Sequence, residues 1–214
     1  MTKLSQLISW VFLPLLMPIY GILLLMFVPF DEIQSTQIPA FALPLNIKWI
    51  VVALFAMFSF VAPGLSFLLL FRMKVISTID IENRRERFYP LIITLMYSVM
   101  LYWLLLQSDP DRFLPSYFSR LALSAVWVTV LFMAITKVYK VSMHTGGAGI
   151  FTGFLYAFFQ QVHNPSIWWL CLALLVSGGV FAARWYLNKH TAGQLLLGYF
   201  LAFTITVFTV VGLF

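Results

Sequence analysis

Apolar residues fall into seven long runs, near 7–29, 47–71, 89–107, 117–138, 145–162, 166–185 and 191–214. A helix crossing a hydrocarbon core needs about 20 predominantly apolar residues. The pattern therefore predicts an all-α, polytopic membrane bundle of six to seven transmembrane helices. The run at 145–162 decides between those numbers. It is short and opens with Gly146, Gly147 and Gly149, so it reads as a crossing or as a tilted or re-entrant segment. The first run follows Lys3 and exceeds the apolar length of a secretory signal, which predicts a retained first helix.

Polar punctuation supports the divisions. Pro29, Pro39 and Pro44 bracket an acidic connection with Asp31 and Glu32, and Ser108-Asp109-Pro110-Asp111 is a turn signal. Asn164-Pro165-Ser166 is a second turn and caps the next helix. Pro14, Pro18 and Pro63 lie inside apolar runs and are expected to kink them. The spacing of Gly149 and Gly153 is a helix-packing pattern. No internal repeat divides the chain, so residues 1–214 form one integral membrane domain.

Composition agrees. Of the 214 residues, 62% are hydrophobic and 9% charged, whereas soluble domains carry about 25% charged residues. The net charge of +6 comes from basic residues clustered in short connections. That arrangement fits lipid headgroups or phosphate and not nucleic acid. Cys171 is the only cysteine, which excludes a disulfide framework and a thiolate metal site.

With seven spans, one face holds Lys3, Arg72, Lys74, Arg84, Arg85, Arg87, Lys137, Lys140, Arg184 and Lys189, ten of the 13 basic residues. The other holds Lys48, Arg112 and Arg120. The excess of positive charge predicts that the first face is cytoplasmic, in a membrane of bacterial inner-membrane type.

Three polar segments share that basic face: 84–90, 142–145 and 184–194. Arginine supplies bidentate, permanently charged donors to phosphate, and a helix beginning at His144-Thr145-Gly146-Gly147 offers backbone amides, with glycines permitting close approach. Two histidines divide the remaining work, one attacking phosphorus and the other protonating the leaving oxygen. His163 lies on the opposite face and reads as interfacial, and Ser142 reads more simply as a helix cap than as a nucleophile.

Arg184, His190 six residues on and Gln194 four further, preceded by Val141-Ser142-Met143-His144-Thr145, resemble the last two motifs of the type 2 phosphatidic acid phosphatases and related membrane lipid-phosphate phosphatases. Arg84-Arg85-Glu86-Arg87-Phe88-Tyr89-Pro90 approximates the family's first motif with its register open. The resemblance covers about residues 84–200. It implies that His190 is the nucleophile of a phosphohistidine intermediate and that His144 is the general acid. Arg184 and one or two of Arg84, Arg85 and Arg87 would hold the phosphoryl oxygens, with Ser142, Thr145 and the amides after His144. It implies no metal or other cofactor. Gln194 stands where the family has an aspartate. It can accept the His190 Nδ1–H bond through its carbonyl but brings no charge, leaving Asp80, Glu82 and Glu86 as the nearest acids.

Three other readings stand beside this one. A relative that binds lipid phosphate without turnover follows from Gln194. A prenyltransferase would want two acidic clusters on one face, but Asp109 and Asp111 fall opposite Asp80, Glu82 and Glu86. A transporter would want polar residues at mid-membrane depth, and here they lie at one boundary. The implied partners are membrane lipids and a lipid-phosphate substrate: phosphatidate, phosphatidylglycerophosphate, a polyprenyl diphosphate or a lipid A phosphate.

Overall fold

A computed structural model describes residues 1–32, 38–78, 84–108, 113–163 and 165–212, with the backbone alone at Arg84 and Arg85. Asp80, Glu82, Asp109, Asp111 and Arg112 lie outside the described residues, as do the Arg84 and Arg85 side chains. Among those described, the chain is helical, without strands. Its α-helices are α1 (Thr2–Val11), α2 (Met17–Phe27), α3 (Leu45–Phe55), α4 (Ala62–Arg72), α5 (Phe88–Gln107), α6 (Ser116–Thr136), α7 (Met143–Phe159), α8 (Ile167–Tyr186) and α9 (Ala192–Val211).

Five stretches are long and apolar enough to cross a membrane: α3–α4 as one 28-residue rod, α5, α6, α8 and α9. The protein is therefore an integral membrane protein, but with fewer such helices than the six to seven expected. The first apolar run does not form one span. Pro14 and Pro18 fall where a continuous helix would need backbone donors, so the run divides into α1 of 10 residues and α2 of 11. The run at 145–162 forms α7, one uninterrupted helix of 17 residues with no re-entrant turn. At about 1.5 Å per residue it reaches about 26 Å.

The rod of α3 and α4 is joined by a π-helical turn at Ala56–Val61. Pro63 accounts for it: the missing N–H cannot bond the Ser59 carbonyl four residues back, and the ladder widens there.

Short α7 is the centre of the bundle, with α2, α8 and α9 against it. Glycines set the α7–α9 distance. A Cβ at Gly153 would lie 2.8 Å from the Phe203 carbonyl oxygen, and one at Gly149 would collide with the Tyr199 carbonyl. The Gly149/Gly153 spacing is thus a packing device, as the sequence predicts. Hydroxyls link α7 to two of its neighbours: Thr145 Oγ1 donates to the Leu195 carbonyl of α9 at 2.8 Å, and Thr152 Oγ1 lies 3.0 Å from Ser177 Oγ of α8.

The two ends of the bundle differ. At one end, Glu32 pairs with Val162, the His163 N–H donates to the Asp31 carbonyl, and Glu32 accepts from the Ala40 N–H. Burial raises the Glu32 carboxyl above its ordinary range. Exposed His163 sits here, remote from the other two histidines. The opposite end gathers the starts of α5, α7 and α9 with the end of α8, and with them the polar segments.

Candidate active site

The spacing of Arg184 and His190 has a local structural cause. Helix α8 ends in a paired hydrogen-bond turn: the Lys189 N–H donates to the Arg184 carbonyl and the Asn188 N–H to the Trp185 carbonyl. This Schellman arrangement needs a left-handed residue at its apex, and Asn188 supplies it at φ 52°. Thr191 then caps α9. Arg184 therefore lies on the last turn of one helix and His190 just before the first turn of the next. Both are buried, at 3% and 7% exposure.

The α9 cap also orients His190. The Thr191 hydroxyl accepts the Gln194 N–H at 3.4 Å, while Gln194 Oε1 accepts the Thr191 N–H at 3.3 Å, a reciprocal capping box. The same Oε1 lies 3.1 Å from His190 Nδ1. A backbone N–H only donates, so the amide atom facing it must be oxygen. That oxygen in turn requires Nδ1 to carry the proton. In the neutral ring, Nε2 then keeps its lone pair.

His144 opens α7, whose N-cap is Ser142, accepting the Thr145 N–H at 3.4 Å. Arg87, 3% exposed, ends a short 3₁₀ turn at 84–87, and its guanidinium donates to the Val141 carbonyl. Arg87, His144, Arg184 and His190 line one cavity of about 400 Å³. The sequence reading placed them on one face; the fold brings them to one chamber.

The chamber's electrostatics are cationic. Burial, and then the positive charge of Arg184, lowers the Arg87 pKa to about 10, so Arg87 stays charged at neutral pH. Burial, with the charges of Arg87, Lys140 and Arg184, pushes His190 down to about 3 against the opposing hydrogen bond from Gln194. His190 is therefore neutral at pH 7. A site that repels a proton from a histidine favours an anion.

Beyond this charged end the cavity is apolar. It passes between the π turn, α4, α5, α6 and α7, lined by Phe58, Phe60, Phe67, Leu91, Val128, Phe132 and Ile150. On α5 it extends from Arg87 to Ser98, about 16 Å along a helix. The wall hydroxyls of Ser59, Thr94 and Thr129 donate to carbonyls of their own helices. They do not make the wall polar. A second, more open cleft of about 470 Å³ meets His190 from the other side, lined by Lys140, Asn188, Lys189, Thr191 and Gln194.

Other predicted site residues lie elsewhere. Ser142 and Thr145 are buried in the α7–α9 seam and do not line the cavity. Gly146 and Gly147 do line it, but a Cβ there would lie 2.6 Å from Phe132 and from Pro14 respectively. Their close approach serves side-chain packing. Glu86 accepts from the Ser77 N–H and hydroxyl at 2.6 and 2.9 Å, so its carboxylate is directed to the 72–78 connection. Among the described residues, no three His, Cys, Asp or Glu side chains gather as a metal site.

Sequence reasoning missed two contributors. Lys140 bears on His190 and donates to the Lys189 carbonyl at 3.0 Å; its place four residues before His144 was the available signal. Ser9, on α1, lines the cavity with His144 and Arg184. Nothing in the sequence around Ser9 marks it. No protein-family model, curated protein or solved structure matches the chain.

Proposed function

We propose that the protein is a membrane lipid-phosphate phosphatase working through a phosphohistidine on His190. The observation that carries this reading is the joining of a buried cationic pocket to an apolar cavity walled by helices long and apolar enough to cross a membrane. A ligand matching both parts has an anionic head and a long hydrocarbon body. Arg87 and Arg184 would hold the phosphoryl oxygens, and the apolar walls the lipid.

The chemistry runs in two balanced steps. His190 Nε2 attacks phosphorus, forming an N–P bond as the P–O bond to the lipid breaks. His144 takes up the proton that a monoanionic head group brings into the site and gives it to the departing oxygen. Water then attacks the phosphohistidine and passes a proton to His144. The N–P bond breaks, orthophosphate leaves carrying that proton, and both histidines return to their neutral starting states. The open cleft beside His190 offers water a route that does not cross the lipid-filled chamber. Gln194 keeps Nδ1 protonated and so presents Nε2 to the substrate. Its neutral carbonyl stabilises the developing imidazolium less than a carboxylate would, which implies slow turnover.

A second reading, a lipid-phosphate-binding protein without turnover, rests on that same neutral Gln194. The experiment that separates them is phosphate release from phosphatidate, phosphatidylglycerophosphate, a polyprenyl diphosphate and a lipid A phosphate by purified protein. His190→Ala and His144→Ala are expected to abolish release and His163→Ala to leave it unchanged. Equal release by wild type and His190→Ala would exclude the phosphohistidine. The excess of basic residues at this end supports a cytoplasmic site, in a membrane of bacterial inner-membrane type.

A further inference from the structure

Helix α1 is amphipathic in the inverted sense. Leu4, Leu7, Trp10 and Val11 are exposed, whereas Ser5 and Ser9 are buried against the bundle. In lipid this arrangement is coherent: the apolar face meets hydrocarbon and the hydroxyls turn toward protein. Ser9 lines the cationic end of the cavity with His144 and Arg184. It is 6% exposed, and its Oγ has no hydrogen-bond partner.

That isolation is informative because the same cavity supplies controls. Ser59, Thr94 and Thr129 each satisfy their hydroxyls on a carbonyl of their own helix. Ser9 sits on a helix too, yet its hydroxyl is not spent in this way. An unsatisfied buried hydroxyl costs stability, and the cost is recovered if a ligand supplies the acceptor. The oxygen-rich group that two buried arginines select is a phosphoryl anion.

We propose that Ser9 is a headgroup-binding residue, its hydroxyl donating to a phosphoryl oxygen held by Arg87 and Arg184. Helix α1 is then the fourth side of the site, closing the chamber where α5, α7 and α8 leave it open. The proposal rests on the phosphoryl-site reading above.

The test uses the full-length protein in detergent, with inorganic orthophosphate and short-chain phosphatidate as separate probes. Binding is read from thermal stabilisation and unliganded stability from the same melts. Ser9→Ala is expected to bind both probes about ten-fold more weakly, the scale of one hydrogen bond to a charged acceptor. It is also expected to melt no lower than wild type without ligand, since it removes an unsatisfied group. Ser9→Thr, which keeps a hydroxyl, should restore binding.

Affinities of Ser9→Ala within two-fold of wild type would overturn the proposal, as would an unliganded protein that is destabilised or unfolded. Weakening toward phosphatidate alone would place the hydroxyl on the lipid body and overturn the phosphoryl assignment. Arg184→Ala and Arg87→Ala run alongside. If both bind orthophosphate as wild type does, the phosphoryl site itself fails. If they lose binding and Ser9→Ala does not, Ser9 alone fails.

Discussion

His190 Nδ1 lies 3.1 Å from Gln194 Oε1, and that oxygen also accepts the Thr191 N–H. One amide thus caps a helix and sets the tautomer of the proposed nucleophile. Gln194→Glu keeps the length and the capping oxygen and adds a charge at a helix N-terminus, where carboxylates are favoured. It should raise turnover about ten-fold, or about 1.4 kcal/mol of barrier. Gln194→Leu removes the acceptor, frees the ring to adopt the wrong tautomer, and should lower turnover at least ~10²-fold. Steady-state kinetics on the lipid phosphate that the wild type hydrolyses reads both. A Glu variant that folds, binds lipid phosphate and turns over more slowly would show that the neutral amide is required.

The His190 ring should remain neutral well below the ordinary histidine midpoint. Burial and the charges of Arg87, Lys140 and Arg184 place its pKa at about 3. In the unliganded protein, ¹⁵N spectra of the His190 ring should show a single neutral form, protonated on Nδ1, from pH 8 down to pH 5. Because the shift is downward, protonation appears only as pH falls toward about 3. Lys140→Gln removes one of the repelling charges and should move the midpoint upward. A wild-type midpoint near 6.5 would contradict the electrostatic account.

Val128 and Phe132 face the apolar part of the cavity from α6. Val128→Trp should narrow it below the charged end. The expected outcome is a kcat/KM at least ~10-fold lower for long-chain lipid phosphates and nearly unchanged for short-chain ones, because only the long chains use the blocked volume. An equal loss for both would argue that the cavity does not hold the lipid body.

Sidedness is open to chemical labelling. Single cysteines placed at Lys74 and Asn46, both exposed and at opposite ends of the bundle, in a background with Cys171→Ser should differ in intact cells. An impermeant thiol reagent should modify position 46 and spare position 74 if the active-site face is cytoplasmic. The reverse pattern would put the site on the outer face.

Much of the site was legible because its residues are expensive at a membrane boundary. Arg184, His190 and Gln194 stand out between apolar runs, and their spacing paired His190 with Gln194, although His190 lies just before α9 and the capping box, not helical spacing, brings the two together. The spacing of Gly149 and Gly153 gave the α7 packing. The division of the first run was less legible, since Pro14 and Pro18 signal a kink and a break equally well. Ser142 and Thr145 illustrate another limit: motif position cannot tell a side chain facing a cavity from one facing the next helix. Ser9 was invisible because its significance lies in what the fold sets beside it, namely His144 and Arg184. The aromatics of the π turn belong to the cavity for the same reason.

The central claim is that His190 carries the phosphoryl group, and a direct measurement is to look for it there. Purified protein mixed with lipid phosphate labelled in its phosphoryl group, quenched during turnover and digested, should yield a labelled peptide containing His190. The label should be lost in acid and kept in base, as a phosphoramidate requires, and should be absent from His190→Ala. Phosphate release without any label on His190, or the same label in His190→Ala, would contradict the account. Tight lipid-phosphate binding with neither label nor release would leave the protein a receptor and not an enzyme.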